Sequence, residues 1–187
     1  MPLNDLALAS ENAEKSLALA LALFPGEEWV QKEPNIWVAK SRLSEEWREP
    51  DKWKKEMSQV RILTSRGSMV YFLPEMKNEG KGKIYADTVI DGEVTELKTV
   101  SGNRTTLGTD FRQGYKQGAA LVKGRIGIQK HSVFIRLLSG ISLGSVRAKI
   151  AGELKNRSGE GHFICYFEAS GELHIWTYDE LRAIIGT

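Results

Sequence analysis

Two β-prone runs meet at an Asp-Gly pair. Residues 83–90 (KIYADTVI) and 93–100 (EVTELKTV) flank Asp91-Gly92. Asp-Gly between such runs is the strongest short-range signal for a hairpin with a two-residue turn. The turn fixes register: Ile90 pairs with Glu93, Val89 faces Val94, Thr88 faces Thr95 and Asp87 faces Glu96. Lys98 lies two residues beyond Glu96, on the same face by strand alternation. Facing carboxylates repel and weaken the pairing unless a cation lies between them. Two carboxylates offer hard oxygen ligands suited to a divalent metal, Mg²⁺ first, with Mn²⁺ or Zn²⁺ as alternatives. Lys98 is then placed to orient a water or neutralise a phosphate. The same residues also fit a surface hairpin with an ordinary Glu/Lys pattern, and a slip of one residue would turn Asp87 to the other face.

Around the hairpin, helical and strand patterns alternate. Leu3–Phe24 is rich in Leu and Ala, which favours a helix over the competing strand alternation of Leu17, Leu19, Leu21 and Leu23. Trp29–Val30 and Ile36–Val38 flank Pro34-Asn35 as a short hairpin. Residues 1–48 therefore form a small N-terminal helix-and-hairpin extension, with no recognisable chemistry. The main domain, 49–187, opens with a helix over Asp51–Arg66, stopped by Gly67, and a strand over Met69–Leu73. After the central hairpin come a loop over Ser101–Gly108, a helix over Thr109–Val122 and a strand over Ser132–Leu138. A helix over Ser145–Leu154, a hairpin of His162–Phe167 with Glu172–Trp176, and a short helix over Tyr178–Ile185 complete the chain. This order predicts an α/β sandwich with a mixed sheet flanked by helices.

Charge is unevenly spread. Between Leu97 and Gly152 stand ten basic residues (Lys98, Arg104, Arg112, Lys116, Lys123, Arg125, Lys130, Arg136, Arg147 and Lys149) against the single acid Asp110, in a chain whose total is only +2. A basic stretch of that kind suits a polyanion, although a solvated basic face would look the same. A lone cysteine, Cys165, in the apolar run 163–167 excludes an internal disulfide and a Cys-x-x-Cys metal site. His131, His162 and His174 are scattered and read as strand residues. No stretch reaches the ~20 apolar residues that span a bilayer, and the N-terminus lacks a signal-peptide pattern.

The stretch Tyr85-Ala86-Asp87-Thr88-Val89-Ile90-Asp91-Gly92-Glu93-Val94-Thr95-Glu96-Leu97-Lys98 resembles the PD-(D/E)XK nuclease superfamily. Within it, the closest likeness is to the C-terminal toxin domains of contact-dependent growth inhibition proteins, several of which are tRNA nucleases. Glu56, Val60, Leu63, Gly67 and the run Val70–Glu75 resemble that family's lead-in. The likeness spans residues 50–176 and departs at Ala86, where the family has proline.

The resemblance implies a restriction-endonuclease-like sandwich. Asp87 and Glu96 would bind metal, Lys98 would act in catalysis, and Glu56 would be an added acid from the first helix of the domain. Glu56 lies one turn from Val60 and two from Leu63, yet a stripe-edge surface glutamate would lie there too. Gln117 falls where the family often has glutamine, with Gln113 one turn earlier; an ordinary amphipathic helix also accounts for them, more readily for Gln113 than for Gln117. Asn103, Arg104, Arg112, Gln113 and Lys116 are candidates for substrate contact. Phe111 and Tyr115 are the only aromatics nearby, too few for a dedicated base-stacking platform. The implied function is an RNA-cleaving toxin, acting on tRNA, delivered from a secreted or cell-surface precursor into the target-cell cytoplasm and neutralised by a cognate immunity protein. A DNA endonuclease of the restriction or resolvase type, or a non-enzymatic nucleic-acid-binding module, fits the same residues. An immunity or interaction protein would lack the acid–acid–lysine cluster.

Overall fold

The computed structural model describes residues 3–75, 77–78, 82–83, 85–125 and 130–184. Their strands form one eight-stranded mixed sheet flanked by helices, in the order β1 (Trp29–Glu33), β2 (Ile36–Ala39), β3 (Val70–Phe72), β6 (Thr88–Ile90), β7 (Glu93–Val100), β8 (His131–Leu137), β9 (His162–Phe167) and β10 (Glu172–Thr177), with a separate two-stranded ribbon, β4 (Lys77–Asn78) and β5 (Gly82–Lys83). The chain divides into two compact units, Met1–Val94 and Thr95–Thr187.

In the first unit, α1 (Leu3–Leu23) is helical, as its Leu/Ala content predicts, and packs on β3 (Val70–Phe72) and β6 (Thr88–Ile90). The predicted hairpin forms as β1 (Trp29–Glu33) and β2 (Ile36–Ala39), turning through Asn35 at φ +64°. β2 then pairs in parallel with β3, matching Ile36 to Val70 and Val38 to Phe72. The N-terminal residues thus extend the sheet rather than stand as a separate element. A 3-10 turn (Lys40–Arg42) and α2 (Glu45–Arg48) follow, both too short to leave a periodic signal. α3 (Pro50–Thr64) buries Trp53, Met57, Val60 and Leu63. Its Trp53 ring meets Phe72 at 5.5 Å.

β3 runs antiparallel to β6, matching Phe72 to Thr88 and Val70 to Ile90. The strand predicted over Lys83–Ile90 is regular only over Thr88–Ile90; Lys83 belongs to β5, and Ile84 lies outside the described residues. Asp91 and Gly92 both have positive φ, +48° and +82°, as a type I′ two-residue turn requires. Glycine is required at 92 twice over, by its φ of +82° and because a Cβ there would lie 2.9 Å from Lys15 Cβ; its N–H donates to Ser16 Oγ at 2.8 Å.

The division between units falls within β7 (Glu93–Val100). In the second unit, α4 (Arg104–Arg125) packs on β8 (His131–Leu137) and on α5 (Leu143–Leu154). β8 pairs in parallel with β9 (His162–Phe167), and β9 antiparallel with β10 (Glu172–Thr177). α6 (Tyr178–Ala183) follows, opened by a capping box of Thr177 and Glu180; Ile185, the end predicted for this helix, lies outside the described residues. Phe111, Val133, Ile135, Ile150, Phe163 and Tyr178 form the centre of this unit's core. Cys165 is buried there, which pushes its thiol up to about 12.

The loop predicted over Ser101–Gly108 is shorter than expected. Asn103 Oδ1 accepts the N–H groups of Thr105 and Thr106, at 2.9 and 3.2 Å, and so caps α4 five residues before the predicted start. The glycines and threonines suggested a loop, but this cap outweighs their low helix propensity.

Candidate active site

The acids and the lysine singled out by the sequence are built into two local networks, one in each unit.

In the first unit the centre is Arg42, only 2 % exposed. Its Nε donates to Glu45 Oε2 at 2.9 Å and its Nη2 to Glu56 Oε2 at 2.6 Å. Nη1 donates to the carbonyls of Leu73 at 3.2 Å and Asp87 at 3.0 Å, and Nη2 lies 3.5 Å from Asp87 Oδ1. The guanidinium also stands 5.1 Å from the centre of the Phe72 ring. Burial opposes its charge, but Glu56, Asp87 and Glu45 more than offset that, so the pKa is raised further. Lys52 joins the edge of the cluster, bridging Glu45 and Glu75. Glu56 is thus placed with Asp87 around one guanidinium rather than at the solvent edge of the helix stripe. Asp87 is 2 % exposed and sits just before β6, its carbonyl also accepting from Leu73 N at 2.9 Å.

In the second unit, Glu96 is fully buried on β7. Its Oε1 lies 2.7 Å from Lys98 Nζ, and Lys98 Nζ donates to Gln117 Oε1 at 3.0 Å. Gln117 is buried on α4. It reaches the strand because α4 has glycine facing the sheet. A Cβ on Gly114 would stand 3.1 Å from Val133 Cγ1 and 3.2 Å from Glu96 Cγ, and one on Gly118 would stand 2.8 Å from His131 Cδ2. Two glycines one turn apart cost helix propensity, and in return the helix axis comes close to β7 and β8. Asp110 lies two turns before Gln117. Burial raises its carboxyl pKa, with Lys98 acting in the opposite sense.

The substrate candidates divide. Asn103 is the helix cap described above. Arg112 is ion-paired to Glu153 at 3.1 Å and donates to Thr109 Oγ1 at 3.0 Å. Arg104, Gln113 and Lys116 are exposed, so Gln113 does not share the buried face of Gln117. The basic segment is also less bare than its sequence suggests. Lys149 shares Glu153 with Arg112, and Arg136 pairs with Glu168 at 2.7 Å.

Sequence reasoning missed Arg42, Glu45 and Asp110. Asp110 had one signal, being the single acid in the basic segment at helical spacing from Gln117. Arg42 and Glu45 had none, lying between recognised elements.

The donors around Asp87, Glu56 and Glu96 are carboxylate oxygens, the chemistry that Mg²⁺ and Mn²⁺ accept. Among the described residues no three or more of His, Cys, Asp and Glu form a group able to hold a metal ion. Mg²⁺ does not require such a cage, since it usually takes one or two carboxylates and keeps several waters. Within each unit the carboxylates are of the chemical type that a hard divalent ion takes. No family model, no curated protein and no solved structure matches the chain.

Proposed function

We propose that this chain is a metal-dependent endonuclease of the PD-(D/E)XK type that cleaves RNA, with tRNA as the expected substrate. One observation carries the reading: fully buried Glu96, part-buried Lys98 and buried Gln117 form a single polar chain from β7 to α4. Glu96 and Lys98 were singled out by strand alternation and Gln117 by the family resemblance, and each has a partner in this chain.

In this reading Asp87 and Glu96 are the carboxylates that would hold the cation. When held there, a divalent ion would supply positive charge to the scissile phosphate and lower the pKa of a nearby water. Lys98 holds its ammonium beside Glu96, where it orients that water or offsets charge on the scissile phosphate. Gln117 fixes the position of Lys98. Arg104 and Lys116, exposed on α4, contact the phosphate backbone. The biological setting we propose is that of a toxin in contact-dependent or related interbacterial competition, acting in the target-cell cytoplasm. A cognate immunity protein would present acidic residues to the exposed bases of α4.

The test is incubation of the purified protein with total RNA and with plasmid DNA, each with Mg²⁺ and with EDTA. Metal-dependent loss of tRNA supports the reading. Cleavage of plasmid alone moves the assignment to a DNA endonuclease. Salt-sensitive binding without cleavage of either makes the chain a non-enzymatic binding module.

A further inference from the structure

Arg42 is the largest fully buried side chain of those described, and it is charged. A buried ion pair is weak support for stability, because well-packed apolar residues of similar volume often do as well or better. Its environment suggests another role. Glu45 comes from α2, Glu56 from α3 and Asp87 from the segment before β6, at sequence separations of 3, 14 and 45 from Arg42. One planar guanidinium donates to two of those carboxylates and ion-pairs with the third. It also donates to the carbonyls of Leu73 and Asp87, which ties the end of β3 to the segment carrying Asp87. Arginine can do this because its five N–H donors lie in a rigid fork; a lysine offers three donors from one tetrahedral nitrogen.

We propose that Arg42 is a positioning residue: its fork sets the location of the Asp87 main chain and of the Glu56 carboxylate, and so the geometry with which these acids meet a divalent cation. The proposal rests on the nuclease reading above. It makes the residues before α3 part of the working site, acting through Asp87 and Glu56 without touching substrate.

The test uses the full chain with Arg42→Lys and Arg42→Met. Arg42→Lys is the informative variant. It keeps the positive charge, so any electrostatic competition with metal is unchanged, but it loses the fork. Folding is checked by circular dichroism and thermal melting, and all rates are taken well below the melting temperature. For folded Arg42→Lys the Mg²⁺ concentration giving half-maximal RNA cleavage is expected to rise, or the rate at saturating Mg²⁺ to fall, by about 10- to 100-fold, the usual effect of losing a group that orients a metal ligand. RNA binding in EDTA should stay at the wild-type level. A purely structural role predicts instead a rate reduced only by the unfolded fraction, with unchanged Mg²⁺ dependence; that result overturns the proposal. Where neither variant at 42 folds, Glu45→Gln loosens one side of the fork and should shift Mg²⁺ dependence the same way, while wild-type dependence in it overturns the proposal equally. Wild-type protein that cleaves neither RNA nor DNA with Mg²⁺ or Mn²⁺ overturns the nuclease reading itself, and the role of Arg42 with it. Wild-type cleavage with an indifferent Arg42→Lys overturns only the role of Arg42.

Discussion

Replacing Lys98 with methionine separates catalysis from scaffolding. The substitution keeps the aliphatic stem and removes the ammonium, leaving the fully buried Glu96 carboxylate without the cation that lies 2.7 Å away. Removing one partner of a buried pair costs about 3–5 kcal/mol. The Lys98 side chain is 18 % exposed against 1 % for Glu96, so water reaches the ammonium end and the loss should be smaller, about 2–3 kcal/mol. For a chain of this size that lowers Tm by roughly 4–12 °C. The effect on rate should be far larger: loss of one group that stabilises developing charge costs on the order of 10²–10³ in kcat, measured on protein verified as folded. The double variant Lys98→Met/Glu96→Gln then decides the matter. With no buried charge left uncompensated, most of the Tm should return, while cleavage should stay lost. If Tm and rate recover together, or if folded Lys98→Met cleaves within about threefold of wild type, far short of that loss, Lys98 is a structural counter-ion and the proposed chemistry is wrong.

Gln117→Ala removes the acceptor for Lys98 but no charge; it should lower kcat by on the order of tenfold or more, with KM for RNA unchanged in steady-state assays. Arg104→Ala and Lys116→Ala should weaken RNA binding and reduce its salt dependence in titrations at several salt concentrations, whereas Arg112→Ala, whose partner is Glu153, should show mainly in Tm. Glu153 resists burial because Lys149 and Arg112 stabilise its charge, so its folded pKa is lowered. A lowered folded pKa means stability present above the unfolded-state value and lost as pH falls through the folded one. Melting curves of Glu153→Gln across acid pH should therefore show a lower Tm at neutral pH and a shallower acid loss than wild type.

The central hairpin was legible because its signal is local: two adjacent residues set the turn, and alternation sets the face. Glu96 and Lys98 were legible for the same reason, two positions apart on one strand, whereas Gln117 was named from the family resemblance and not from a local signal. Arg42 was not. Its partners lie 3, 14 and 45 positions away, and the turn that carries it is too short to produce a period. The start of α4 was misplaced because a single capping hydrogen-bond pair at Asn103 outweighed a run of poor helix formers. The basic segment was overstated because charge counted along the chain ignores acids that return to it in space, as Glu153 and Glu168 do.

Each unit neutralises its own buried acids: Arg42 lies among Glu45, Glu56 and Asp87, and Lys98 lies beside Glu96. Metal binding and folding are therefore expected to separate. In a structural zinc site the metal's binding energy is folding energy, and chelation unfolds the protein. Here the carboxylates have protein cations as partners, so EDTA should abolish cleavage while leaving Tm within about 1–2 °C of the untreated protein, a shift worth about 1 kcal/mol at most for a chain of this size. Added Mg²⁺ should raise Tm only by the modest increment that mass action gives a weakly held ligand, about 1–2 kcal/mol at ten times Kd. Differential scanning calorimetry in EDTA and across a Mg²⁺ series, run beside cleavage assays on the same samples, measures both. A collapse of Tm in EDTA would mean that Arg42 and Lys98 do not compensate these acids and that the cation is structural.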